Sequence, residues 1–183
     1  MVRPITLAAA CALIAIPGAE AQTDLTPTES FYEIEGTRTA NVTFTDGNKK
    51  IPYTPPAGWT LSGGGKKLSL APRDVVQAGG TIETETARAP LPPATEDNIK
   101  AYADVARSLV PRDASKVEVV EAIISPTRIS GNSMVDVTLS YSFFGQQFRM
   151  NVLFMPRDTE QLRFRFVARA ADFPPLSRSF RSS

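Results

Sequence analysis

From Val135 to Ala168 apolar and polar residues take turns, and this alternation limits the chain's folds more than any other feature. Val135, Val137, Leu139, Tyr141 and Phe143 are spaced by Asp136, Thr138, Ser140 and Ser142. After Gly145, Phe148, Met150, Val152 and Phe154 are spaced by Gln147, Arg149 and Asn151. After Pro156-Arg157-Asp158, Leu162, Phe164, Phe166 and Ala168 are spaced by Arg163, Arg165 and Arg169. A period of two fits only strands, because successive side chains leave a strand on opposite sides. With Lys116–Ile124 before the Gly131-Asn132 turn, the pattern predicts a four-strand antiparallel meander with one apolar and one polar face. Phe148, Met150, Phe164 and Phe166 are then expected inward, against a helix carrying Ile99, Tyr102 and Leu109.

That helix is the convincing one in the chain. Ile99, Tyr102, Ala103, Ala106, Leu109 and Val110 recur at helical spacing, Glu96 and Asp97 sit in the first turn, and Pro111 stops it. Upstream, Val42–Thr45 and Ile51–Tyr53 flank Asp46-Gly47-Asn48 as a hairpin. Trp59–Leu61 and the short strand Lys67–Pro72 flank a glycine loop. Thr81–Thr86 has strand propensity with glutamates, which fits a charged edge strand. Pro174–Arg181 reads as a short terminal helix. The class is α+β: an antiparallel sheet of about six or seven strands covered by one long helix and a short C-terminal helix.

Residues 1–21 stand apart. Arg3, an uncharged apolar run from Ile5 to Ile16, the Pro17-Gly18 break and Ala19-Glu20-Ala21 match a signal peptide that is removed. The run is shorter than the roughly 20 residues of a membrane span. Cys11 lies inside it, and a lipoprotein-type cleavage there would leave too little apolar chain. The reading is 1–21 signal peptide, 22–40 flexible leader and 41–183 a single domain, located in the periplasm or outside the cell, with no membrane span after cleavage.

Several short segments carry a resemblance. They are Tyr53-Thr54-Pro55-Pro56-Ala57-Gly58-Trp59, the helix over Asn98–Leu109, and Ile129-Ser130-Gly131 before a strand ending Ser140-Tyr141. Phe164-Arg165-Phe166 and Phe173–Phe180 complete them. Over Ile51–Phe180 this layout resembles the PsbP-like fold of PsbP, Mog proteins and small exported bacterial proteins. PsbP supports oxygen evolution on the lumenal side of photosystem II, and Mog proteins bind a GTPase. The resemblance implies an α/β/α sandwich and a non-catalytic accessory or binding module.

Composition narrows the chemistry. The chain has no histidine and one cysteine, so histidine triads, histidine–zinc sites and disulfide scaffolds are excluded. A net charge of +1 argues against a nucleic-acid binder. Gly63-Gly64-Gly65-Lys66-Lys67 lacks the hydroxyl residue and following helix of a phosphate loop. Serine nucleophiles lack a base, since no Ser-X-X-Lys occurs. No metal site and no cofactor are expected.

Arginine is the strongest signal. From residue 121 onward there are eight arginines, no lysine and five acids, or +3; from 22 to 120 there are eleven bases and thirteen acids, or −2. Arg149, Arg163, Arg165 and Arg169 take the polar parity of the meander beside Gln147 and Asn151. If they share one face, they form an arginine-rich surface suited to an acidic envelope protein or an anionic ligand. The alternative is a small carboxylate-dependent hydrolase using Glu83 and Glu85.

The leader generates the first prediction. The mature exported protein should begin at Gln22, as read by N-terminal sequencing or intact mass; an intact Met1 or a lipidated Cys11 would refute it.

Overall fold

A computed structural model of the chain describes residues 23–34, 37–86, 91–157 and 160–183. The apolar leader 1–21, Cys11 included, lies outside them, as do Gln22 and Asp158. Among the described residues, ten strands form two antiparallel sheets rather than one. β1 (Thr23–Ile34), β2 (Thr37–Asp46) and β3 (Lys49–Tyr53) make a three-stranded sheet. β4 (Trp59–Gly64), β5 (Lys67–Pro72), β6 (Gly79–Glu85), β7 (Ser115–Ile124), β8 (Val135–Phe143), β9 (Gln146–Pro156) and β10 (Gln161–Arg169) make a seven-stranded sheet ordered β4-β5-β6-β10-β9-β8-β7. The expected long helix is short: α1 (Ile99–Ser108) has 10 residues after a 3-10 turn at Glu96–Asn98. α2 (Phe173–Arg181) is the short terminal helix.

The leader read over 22–40 is corrected in the described part, since Thr23–Ile34 is β1 and β2 starts at Thr37. The hairpin β2–β3 alone would be marginal, and a third strand completes a sheet that can bury a face. Leu25 does so at 3% exposure. Pro27 falls where the β1–β2 register shifts, the place in a ladder that tolerates a missing N–H. A second correction concerns Thr81–Thr86, read as an edge strand. β6 lies between β5 and β10, and its glutamate charge is met by cations on both neighbours.

The meander β7–β8–β9–β10 forms, but its apolar side changes face. Val135 opposes Phe154 and Val137 opposes Val152, so the apolar parities of β8 and β9 coincide. Pro156 opposes Gln161, which sets Phe164 against Leu153 and Arg163 against Phe154. Directly opposed residues share a face. The apolar parity of β10 therefore lies on the reverse side from that of β9.

Each half of the large sheet is consequently covered on a different side. On one side, Tyr102, Ala103 and Ala106 of α1 pack on Val135, Val137, Met150, Val152 and Phe154, and the Tyr102 and Phe154 rings lie 5.4 Å apart. On the other, α2 and the small sheet cover β4, β5, β6 and β10. There Phe166 lies 5.8 Å from Trp59, 5.7 Å from Phe173 and 5.5 Å from Phe180. Phe148 and Met150 face α1 as expected; Phe164 and Phe166 do not. Gly80, opposite Phe166, lets the Phe180 ring come close, since a Cβ there would stand 2.5 Å from it.

One guanidinium docks the small sheet. Arg157 donates from Nη1 to Thr23 Oγ1 (2.9 Å), Asp46 Oδ1 (3.0 Å) and Glu160 Oε1 (3.1 Å), and from Nη2 to Asp46 Oδ2 (3.0 Å). Thr23 Oγ1 also donates to Glu160 Oε1 at 2.7 Å. The hydrogen bond from Arg157 holds the Asp46 carboxyl below its ordinary range against the opposing effect of burial.

Because the two cores lie on opposite sides, they should loosen separately. Phe166→Ala should cost about 3–5 kcal/mol in urea unfolding, while Arg165→Ala should stay within about 0.5 kcal/mol. Hydrogen exchange in Phe166→Ala should speed up in α2 and leave α1 protected; faster exchange in α1 instead would mean the faces are not divided this way.

Candidate functional site

The arginine surface is divided by the same register. Arg163, Arg165 and Arg169 oppose Phe154, Val152 and Phe148, which places them on the α1 side of the sheet. Arg149 opposes Ala168 and Ser140, and Gln147 opposes Ser142, on the reverse side. Asn151 opposes Phe166 on that reverse side too. The six nominated residues thus fall three and three on opposite faces, correcting the expectation of one shared surface. Gln147 donates to Ser142 Oγ at 2.6 Å, and Arg169 Nε to Gln77 Oε1 at 2.8 Å.

Arg163 is already matched. Its Nη2 lies 2.6 Å from Glu83 Oε2 and its Nη1 3.1 Å from Glu85 Oε2, while Lys67 Nζ lies 2.9 Å from Glu83 Oε1. This follows from register, because Lys67, Glu83 and Arg163 stand in one row across β5, β6 and β10. Burial alone would raise the Glu83 carboxyl; the hydrogen bonds and charges of Arg163 and Lys67 outweigh it and bring it down to about 2. A hydrolytic acid needs the opposite, a carboxyl kept protonated near neutral pH. Glu83 holds an arginine and a lysine rather than a transferable proton, and Glu85 pairs with the same arginine.

The glycine loop is occupied by the chain itself. Gly65 N donates to Thr26 Oγ1 (2.9 Å) and Gly65 O accepts from Leu25 N (2.8 Å). Gly63, at φ +98°, passes so near Lys67 O that a Cβ would stand 2.6 Å from it. The loop serves as the seat of β1.

A concave site lies on the side of the sheet covered by α2. A cavity of about 270 Å³ opens between the end of α2, Tyr53 of β3 and the segment from Ser125 to Met134. Its floor is a single cross-strand row: Ile82 opposes Phe164, Phe164 opposes Leu153, and Leu153 opposes Asp136. Ile129, Met134 and Phe180 add apolar wall, and Ser125, Thr127 and Ser183 add hydroxyls.

One end of this cavity is polar and buried. Asp136 and Asn151 are each 3% exposed. Asp136 Oδ1 accepts from Asn151 Nδ2 (2.5 Å) and Oδ2 from Arg181 Nη2 (2.5 Å). Asn151 Nδ2 is also within reach of Val137 O (3.2 Å) and Thr138 Oγ1 (3.1 Å). The Arg181 side chain is 46% exposed against 4% for Asp136, so the pair runs from the floor to the mouth. Across the mouth, Tyr53 Oη and Ser183 Oγ lie 3.0 Å apart.

Sequence reasoning reached Asn151 but not Asp136, Arg181 or the cavity. The available signal was Val152-Leu153-Phe154-Met155, four apolar residues in a row where strict alternation would have put two polar ones. A strand apolar on both parities is covered on both sides. Among the described residues, no group of three or more Asp, Glu, His or Cys side chains is placed to hold a metal ion. No helix among them is long and apolar enough to cross a membrane.

No protein-family model and no curated protein matches the chain. Among solved structures, the chain is similar to PA94 from Pseudomonas aeruginosa, described as of unknown function and as a candidate regulator. The likeness has a TM-score of 0.47 at 13% identity, covering 84% of this chain and 92% of that one.

The ionic row predicts an acid limb of stability. The folded Glu83 carboxyl is depressed, so its contribution is complete above the ordinary range near 4.5 and is lost as pH falls toward 2. Glu83→Gln should flatten that limb in pH-dependent urea melts. Arg163→Ala should cost about 1–3 kcal/mol at pH 7, between the exposed and the fully buried ion-pair ranges. An unchanged acid limb in Glu83→Gln would show that Glu83 is not held by these cations.

Proposed function

We propose that the chain is an exported, non-catalytic binding module whose site is the cavity under the end of α2. The observation that carries this is an apolar cavity ending in the buried Asp136–Asn151–Arg181 array. Ligand sites combine an apolar wall with a few fixed polar groups, usually in about 300–1,000 Å³. The site lies just below that range and suits a small molecule. Its polar groups are preset by one another, so little ordering is left to oppose binding.

The signal-peptide pattern of residues 1–21 supports export to the periplasm or beyond, and the PsbP-like resemblance supports an accessory role. An acidic partner on the sheet surface is the weaker reading, because Arg163 is matched by Glu83 and Glu85, and Arg149 lies on the other side. The hydrolase alternative loses support because both Glu83 and Glu85 are engaged by Arg163, and Glu83 by Lys67 as well.

Native mass spectrometry of the protein from its own envelope extract tests the reading. Wild type should retain a small-molecule adduct, and Leu153→Trp, which fills the floor, should lose it while keeping the wild-type circular dichroism. An adduct that survives in a folded Leu153→Trp would place the ligand elsewhere.

A further inference from the structure

The chemistry of the cavity's polar end narrows the ligand, an inference that rests on the cavity being the binding site. Arg181 has five N–H donors and uses Nη2 on Asp136 Oδ2; no other acceptor meets its guanidinium among the described residues. Asp136 is itself fixed by Asn151. The guanidinium is therefore held by one edge and offers the rest at the mouth, where it is half exposed. Behind it lie Leu153, Phe164, Ile82 and Phe180.

We propose that the site takes an amphipathic monoanion, a carboxylate on an apolar body, with the carboxylate on the free edge of Arg181 and the body over Leu153 and Phe164. Size follows from volume: about 270 Å³ at roughly 30 Å³ per water-sized unit holds about nine non-hydrogen atoms. Sign follows from the pair. A cationic ligand would have to replace Arg181 on Asp136, separating a buried charge from its partner. A neutral ligand would leave the charge-assisted bonds of the guanidinium unmade. An anion keeps the Asp136–Arg181 contact and uses donors that no described residue takes up.

Octanoate, octanol and octylamine form a matched probe set, read by calorimetry and by NMR shifts of the Ile82, Ile129, Leu153 and Met134 methyls. Octanoate should bind tightest and shift those methyls. Arg181→Gln should weaken octanoate at least tenfold and leave octanol unchanged, and Arg181→Lys should restore part of the loss. If Arg181→Gln unfolds because Asp136 is left uncompensated, Asp136→Asn/Arg181→Gln removes both charges and should show the same selective loss. Octanol or octylamine binding as tightly as octanoate, or octanoate binding that Arg181→Gln leaves intact, overturns the anion while the cavity reading stands. No methyl shift with any of the three probes overturns both.

Discussion

The link between Pro156 and Gln161 sets how the two halves of the protein are joined. With Pro156 facing Gln161, the β9 and β10 registers sum so that apolar residues of one strand oppose polar residues of the other. A link one residue longer or shorter would have aligned the apolar parities and given a sheet with one wet face. Because a one-residue slip exchanges the faces of an entire strand, everything on β10 and beyond sits on the reverse side. α1 covers β7, β8 and β9 from one side; α2 and the small sheet cover β4, β5, β6 and β10 from the other. β9 lies where the two cores overlap, which is why Asn151, Val152, Phe154 and Met155 are all buried.

The same link carries the group that fastens the small sheet. Arg157 and Glu160 flank it and meet Thr23 of β1 and Asp46 of β2. Desolvating such charges offsets much of their attraction, so the network adds little net stability. Its effect is on position: the fork admits one placement of β1 and β2 relative to the β9–β10 turn. Leu25, Val42 and Phe44 supply the apolar burial in that placement. β3 then stands with Tyr53 opposite the end of α2, and the cavity is the space between these two covering pieces.

The strands of the meander, the β2–β3 hairpin and both helices were legible because each rests on local periodicity or turn chemistry. Face assignment was not, because it depends on the pairing of Pro156 with Gln161, and alternation within β9 and β10 is equally good for either register. Phe166 is buried and Phe164 half-buried, on the α2 side rather than against α1. β1 was illegible for another reason: Thr, Glu and Pro at 23–30 have no apolar period, and the strand is held by ladder bonds, by Leu25 and by Arg157. The arginine cluster was legible as composition and misplaced as geometry, since Arg149 and Arg163 share a parity in their own strands but not a face.

Cross-strand placement thus separates arginines that composition treats alike. Arg163 stands in a row with Lys67 and Glu83, so its charge is spent inside the sheet and its removal is a matter of stability. Arg157 is enclosed by Asp46, Glu160 and Thr23 and positions a whole layer. Arg181 comes from a helix rather than the sheet, reaches one buried carboxylate with one nitrogen, and stays half exposed beside an apolar hollow. A cation engaged on every side has no capacity for a ligand, and one fully in water binds weakly through screening. Arg181 lies between these limits: oriented by Asp136, set in the cavity wall with Phe180 and Leu153, and with donors that no described residue takes up. That combination, rather than the number of arginines on a face, is what supports the proposed binding site at this end of the molecule.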